Sequence, residues 1–369
     1  MNPREQFCPN MECAARGKVG EGNITIHSQK KGRYKCETCG KTFSATNGTA
    51  MYGLKKAADL FEIVVTLLAH GCPLQAIVAA FGLDERTVKD WFKRSGQHCR
   101  KVHEHFMEQT RLDLGQVQAD EIKVKKQRGA AWMALAIMVS TRLWLGGVVG
   151  VSRDKSLIRE LAGQVRQWAL CRPLLLAVDG FSAYLKAFRE AFRTPYTGGK
   201  GGRPRLYIWE EVAIVQVIKR RVQDTLTIER RIAQGCNQLV ERLLKASQHR
   251  GMINTAFIER LNATFRQRLA CLVRRGRALA RQVETLEAGM YLVGCVYNFC
   301  THHQSLRLKL WITECRLHRV QRTPAVAAAL TDHLWSVHEL LSFKLPVSPY
   351  VPPKRRGRPP KQTVLAVAL

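Results

Sequence analysis

Three separated stretches carry side chains that could act together on a phosphate. From Asn254 onward, Ile258, Leu261, Phe265, Leu269 and Leu272 recur at three- and four-residue steps, the period of a helix with one buried stripe. Glu259, Asn262 and Arg266 fall at the same steps on an adjoining stripe and so share a face. Upstream, Val117–Val124 reads as a short strand carrying Asp120, and Pro173–Gly180 as a buried strand ending on Asp179. An Asp just past an apolar strand lies at the carboxyl end of a sheet, where α/β proteins bind ligands. Asp120, Asp179 and Glu259 are therefore a candidate carboxylate cluster, and such a cluster in a basic chain suggests divalent metal acting on a phosphodiester. Glu121 alternates to the opposite face of its strand and is expected to stay out of the cluster.

A second constellation is thiol-rich. Cys8 and Cys13 form a C-x4-C pair, and Cys36 and Cys39 a C-x2-C pair followed by Gly40 and Phe43. Two short loops that each present two thiolates suit tetrahedral zinc, and four cysteines leave no open position for catalysis. The expectation is a structural zinc ribbon over residues 1–48, with a strand at Asn23–His27, because a segment this small lacks an adequate core without metal.

The elements between these constellations must position them. Residues 49–100 read as a helix from Leu54 to His70, then Pro73–Phe81, a turn at Gly82 and a helix from Leu83 to Arg94. This is the pattern of a helix-turn-helix, with Ile77, Phe81, Leu83, Val88 and Trp91 inward and Asp84 as the cap of the second helix. Its outward residues Glu85, Arg86, Lys89 and Lys93 would face a major groove. Residues 101–112 read as a helical tail or linker. From 113 to 309 the expected order is a strand at Asp120, a hairpin over 131–151, a helix over 154–169, a strand over 174–179, a helix over 181–192 and a fifth strand at 213–217. A loop rich in Gly, Pro, Lys and Arg, Thr194 to Arg205, precedes that strand, and a helix at 237–247 and the Glu259 helix follow it. Residues 310–345 read as further helix.

The chain resembles the DDE-family transposases of bacterial insertion sequences. The likeness rests on Asp120–Glu121–Ile122, on Val178–Asp179–Gly180 with Ala183–Tyr184, and on Asn254, Glu259–Arg260, Asn262 and Arg266. It continues through Arg274–Arg275, Tyr297–Asn298–Phe299 and His303–Gln304–Ser305–Leu306. It spans residues 113–309, and the zinc ribbon and helix-turn-helix fit it as the front half. The resemblance implies an α/β multidomain protein with a ribonuclease-H-like catalytic core. It further implies Asp120, Asp179 and Glu259 as ligands of two Mg²⁺ or Mn²⁺ ions, Asn262 and Arg266 as phosphate contacts, and His303 near the active site. The implied activity is cleavage at the ends of a mobile element and transfer of the freed 3′-hydroxyl to target DNA, by a homo-oligomer assembled on terminal inverted repeats. A DNA-binding regulator with an inactive core, or a stand-alone nuclease of the same fold, are the alternatives.

Composition agrees with a polyanionic partner. The 369 residues carry a net charge of +30, which favours nucleic acid. No long basic amphipathic helix points to a membrane surface. The longest apolar stretch, Ala130–Val151, is broken by Ser140–Thr141–Arg142 and Gly146–Gly147, as two strands would be. Twelve cysteines behind an N-terminus unlike a signal peptide point to a reducing compartment; the resemblance implies the cytoplasm of a prokaryote, at its nucleoid. Within the basic tail that closes 310–369, Lys354–Lys361 resembles an AT-hook, whose Arg356 and Arg358 would enter an A·T-rich minor groove.

Overall fold

The apolar run around Ser140–Thr141–Arg142 folds as two strands, and a mixed sheet grows from them. The computed structural model describes residues 2–126, 129–196, 204–222, 225–248, 251–273, 282–313 and 316–351. Arg274, Arg275, Arg356 and Arg358 lie outside the described residues. The chain divides into one unit of residues 1–48 with 346–369 and a second of residues 49–345.

In the first unit, β1 (Ile24–Ser28), β2 (Arg33–Cys36) and β3 (Thr42–Ser44) form an antiparallel sheet. Ile24, Tyr34 and Phe43 are buried beside Cys8, Cys13 and Cys36. With Phe7 and Ala15, also buried, these few aliphatic and aromatic side chains are too small a core to hold a fold of this size without a further cross-link.

The second unit begins with α1 (Ala58–Ala69), α2 (Leu74–Phe81) and α3 (Glu85–Gln109). Gly82 adopts the left-handed conformation that ends α2, with φ 58°. Asp84 caps α3, its carboxylate accepting from the Arg86 N–H at 2.8 Å. Ile77, Leu83, Val88 and Trp91 are buried as expected, but Phe81 is exposed. It is the last residue of an eight-residue helix, beyond the reach of the buried stripe. The helix does not stop at residue 94 or 100. It runs unbroken through the stretch read as a linker, because its second half buries Cys99, Val102, His103 and Met107. A Cβ at Gly96 would collide with the Ala288 backbone, so glycine lets α3 lie directly against the later helix Val283–Cys295.

The main sheet comprises β4 (Gln116–Lys125), β5 (Ala130–Met138), β6 (Trp144–Gly150), β7 (Leu174–Val178), β10 (Val212–Val222) and β11 (Thr225–Gln234). The spatial order is β11-β10-β7-β4-β5-β6; β4, β7 and β10 run parallel and the outer pairs are antiparallel. The helices α4 (Lys155–Trp168) and α5 (Ser182–Ala191) cover one face, over Ala119, Ala134, Leu176 and Ile214. The paired strands β8 (Arg193–Tyr196) and β9 (Arg205–Ile208) overlap the two ends of the segment Thr194 to Arg205 that was read as a basic loop. The opposite face carries α6 (Asn237–Gln248), α7 (Ala256–Arg268) and α8 (Val283–Cys295). The result is three layers, α/β/α, with ten α-helices among the described residues.

After α8 a π-helical turn, Val296–Cys300, presents Asn298, which accepts from the Trp144 N–H at 2.9 Å and donates to its carbonyl at 2.8 Å. The buried carboxamide thus continues the hydrogen bonding of the edge strand β6, a structural use of the Tyr-Asn-Phe motif. Residues 310–345 do not form the expected helix. They open on an antiparallel hairpin, β12 (Leu308–Thr313) with β13 (Arg316–Val320), followed by the short helices α9 (Pro324–Ala327) and α10 (Val337–Ser342). Leu308, Leu310 and the intervening Lys309 alternate with the period of two that a strand requires. Position 309 lies inside β12. No helix among the described residues is long and apolar enough to cross a membrane.

Candidate metal centres and a cavity lined by acidic and basic residues

Asp120 points from β4 toward α7, and Asp179 follows the last residue of β7. The pleat sends even-numbered residues of β4 to the α7 side and odd-numbered ones to the α4–α5 side. Between β4 and α7 the register is set by Gln118, a fully buried side chain two residues before Asp120. Its Oε1 accepts from the N–H groups of both Phe257 and Ile258, each at 3.0 Å, and its Nε2 donates to the Asn254 carbonyl at 2.8 Å. A strand residue therefore supplies the cap that α7 lacks on its own N-cap, Thr255. Glu259 sits in the first turn of the helix so anchored. It accepts from Thr255 at 2.6 Å and pairs with Lys219 from the end of β10.

These elements enclose a cavity of about 950 Å³ lined by Asp120, Asp179, Glu259, Asn262 and Arg266, all five expected from the sequence, together with Arg153 and Lys219. Three carboxylates are drawn closest: ligand oxygens of Asp120, Glu121 and Asp179 lie within 4.8 Å of one another, and Glu259, expected as the third member of that cluster, lines the cavity outside this group. Glu121 does face the α4–α5 layer, where it accepts from Tyr184 at 2.7 Å and pairs with Arg153. It nonetheless reaches the cluster, because β7 pairs with β4 only as far as Gln118 and leaves the far end of β4 open on that side. Arg153 also donates to Asp179 at 3.1 Å and stacks on Phe181, 4.3 Å from its ring centre.

Asn262 is 1% exposed and donates from Nδ2 to Asp120 at 2.8 Å. It was expected to meet phosphate; the structure instead makes it a support for Asp120. Its Oδ1 is buried without a hydrogen-bond partner. Burial, then the nearby charges of Glu121 and Asp179, push the Asp120 carboxyl up to about 7. Burial and Asp179 also raise Glu121, against Tyr184 and Arg153. Partial burial pushes Glu259 upward, but Lys219 and Thr255 outweigh it and hold the group below its ordinary value. Crowded oxygen donors, an orphaned amide oxygen and carboxylate repulsion that Arg153 relieves only in part are what a hard divalent cation would satisfy, so the residues fit Mg²⁺ or Mn²⁺.

The four cysteines also converge. Cys8 Sγ lies 3.7 Å from Cys39 Sγ and Cys13 Sγ 3.8 Å from Cys36 Sγ, and all four sulfurs fall within 4.8 Å of one another. A tetrahedral ion about 2.3 Å from each sulfur requires sulfurs about 3.8 Å apart. The set fits structural zinc.

Of the residues expected to face DNA from α3, Arg86 and Lys89 are exposed, with Lys89 paired to Glu85. Lys93 is half-buried and donates to Gln282 at 3.2 Å, so it is turned toward its own protein. His303 does not line the carboxylate cavity; it lines a second one on the other flank of α7. Gln118 and Arg153 were not singled out in sequence, and Tyr184 entered only as part of the resemblance. The alternation Gln116–Gln118–Asp120 was a usable signal for Gln118, since buried glutamines on an apolar strand must find partners; nothing local marks Arg153. No protein-family model matches the chain, and none of the curated proteins compared with it matches either.

Proposed function

We propose that the chain is a DDE-type transposase whose ribonuclease-H-like core cuts DNA at element ends and joins the freed ends to target DNA. The observation that carries this reading is the meeting of Asp120, Asp179 and Glu259 in one cavity, from β4, the end of β7 and α7, with Asn262 and Arg266 beside them. In this reading Asp120, Asp179 and Glu259 hold two Mg²⁺ or Mn²⁺ ions, and Glu121 stands close enough to share one. When bound, the ions supply Lewis-acid charge at the phosphoryl oxygens and an acidified water. Asn262 orients the Asp120 carboxylate, Gln118 fixes the distance of Glu259 from β4, and Arg153 offsets the negative charge of Glu121 and Asp179. Arg266, on the cavity wall, is suited to a substrate phosphate.

The +30 charge supports a DNA substrate. The Cys8–Cys13–Cys36–Cys39 ribbon and the α2–turn–α3 pair, with Arg86 and Lys89 outward, are suited to recognise terminal repeats. Footprinting on DNA flanking the reading frame tests the assignment: protection of inverted repeats, followed by Mg²⁺-dependent cutting at their edges, is expected. Binding without cutting would favour a regulator, and cutting without joining a stand-alone nuclease.

A further inference from the structure

On the flank of α7 opposite Glu259 lies a second cavity, of about 300 Å³. Apart from the phenol of Tyr297, its charged and titratable lining is basic: His70, Arg142, Arg260, Arg268 and His303. Among the described residues no carboxylate lines it. The guanidinium of Arg142 stacks on Phe257, 4.0 Å from the ring centre, while Arg268 donates to the Thr301 hydroxyl at 3.4 Å. Each of these two arginines has its Nη1 buried without a hydrogen-bond partner.

Two half-satisfied guanidinium groups in one basic cavity are costly unless something anionic joins them. Burial pushes both below the ordinary arginine value, in keeping with that cost. The backbone adds to it. Arg142 has φ 61°, one of two non-glycine residues in the left-handed region among those described, at the tight β5–β6 turn where glycine would be unstrained. The stack on Phe257 accounts for one face of the guanidinium but leaves its buried Nη1 without an acceptor.

We propose that this cavity binds a single phosphate-class oxyanion, clamped by Arg142 and Arg268 with Arg260 and His303 at its mouth. Arginine presents a planar fork of donors that matches phosphate oxygens. The anion could be free phosphate or a backbone phosphate of DNA, and the second source rests on the function proposed above. With DNA as the source, α7 would carry the carboxylate chemistry on one flank and grip the same polyanion on the other.

The test is ³¹P NMR of inorganic phosphate with the full chain, at fixed ionic strength against chloride. Saturable binding of one phosphate per chain is expected. It should weaken at least about tenfold in Arg260→Gln, an exposed position whose change leaves the fold intact, and in Arg142→Gly, which relieves the backbone strain. Mn²⁺ binding at the carboxylate cavity should be unchanged in both. Phosphate that fails to saturate, or that binds both variants as tightly as the parent, overturns the proposal. Adding duplex DNA separates the sources. Displacement of the phosphate assigns the site to a DNA phosphate; retention of phosphate on DNA-bound protein assigns it to a free anion and overturns the DNA source alone. Because the first arm contains no DNA, its result stands even if the transposase reading fails.

Discussion

The Asp120 carboxyl offers a quantitative handle on the proposed metal centre. Without metal it is held near pH 7 by burial and by Glu121 and Asp179. Metal binds the carboxylate and not the acid, so binding must expel this proton. At pH 6 only about one chain in ten has Asp120 ionised, and at pH 8 about nine in ten, so apparent affinity should rise roughly tenfold across that range and then flatten. The Asn262 amide, 2.8 Å away, favours the ionised form. Removing it in Asn262→Ala takes away a charge-assisted hydrogen bond of about 1.5–3 kcal/mol and should move the curve about one to two pH units alkaline. Calorimetric titration with Mn²⁺ at pH 6, 7 and 8, in buffers of differing ionisation enthalpy, reads both affinity and proton release. Affinity that is flat over this range, with no proton released, would refute the reasoning, as would an Asn262→Ala curve that coincides with the parent's.

Gln118→Ala should destabilise the protein by about 2 kcal/mol, since it strips the cap from two α7 amides; urea denaturation reads this. In Mg²⁺ the same variant should also lose cleavage more than DNA binding, because Glu259 is set by that cap. Chelating zinc should unfold the ribbon and expose Cys36 and Cys39 to alkylation, and less than about one zinc per purified chain would contradict the site. His98 and His103 are pushed down to about 4, in each case first by burial. An unfolded imidazole titrates near 6.5, so their contribution is complete above that pH and is lost as pH falls toward 4, on the order of 3 kcal/mol per residue. Asp120 and Glu121, raised in the fold, act in the opposite direction over part of that window. Comparison of denaturation midpoints for the parent and His103→Phe at pH 7.5 and 5 isolates the imidazole, and the variant should lose less stability on acidification.

Period and polarity exposed much of the sheet and the carboxylates before any coordinates did. Asp120 was legible because a β-branched strand alternates about it, and Asp179 because an apolar run ends there before glycine. The cysteine pairs were legible from spacing alone. Other features depend on where strands end in space. Glu121 alternates as expected, yet joins the cluster because β7 stops short beside it, and no local pattern announces that. Arg153 acts across the tips of β4 and β7 from a loop before α4, a meeting that exists only after folding. Lys93 resembled an outward groove residue until Gln282 gave it a partner 189 positions away. The β12–β13 hairpin was missed because a few alternating residues among basic ones are as compatible with a helix as with an edge hairpin.

The central claim is that the carboxylates of one cavity carry DNA chemistry. The direct measurement is a Mg²⁺-dependent cleavage and strand-transfer assay on end DNA and target DNA, with the parent and with Asp120→Asn, Asp179→Asn and Glu259→Gln. The account predicts cutting and joining by the parent, and a loss of at least about a hundredfold in both reactions for each variant, with end binding nearly unchanged. Near-parental rates in any one variant would remove that residue from the site, and a parent that binds ends but neither cuts nor joins them would contradict the account.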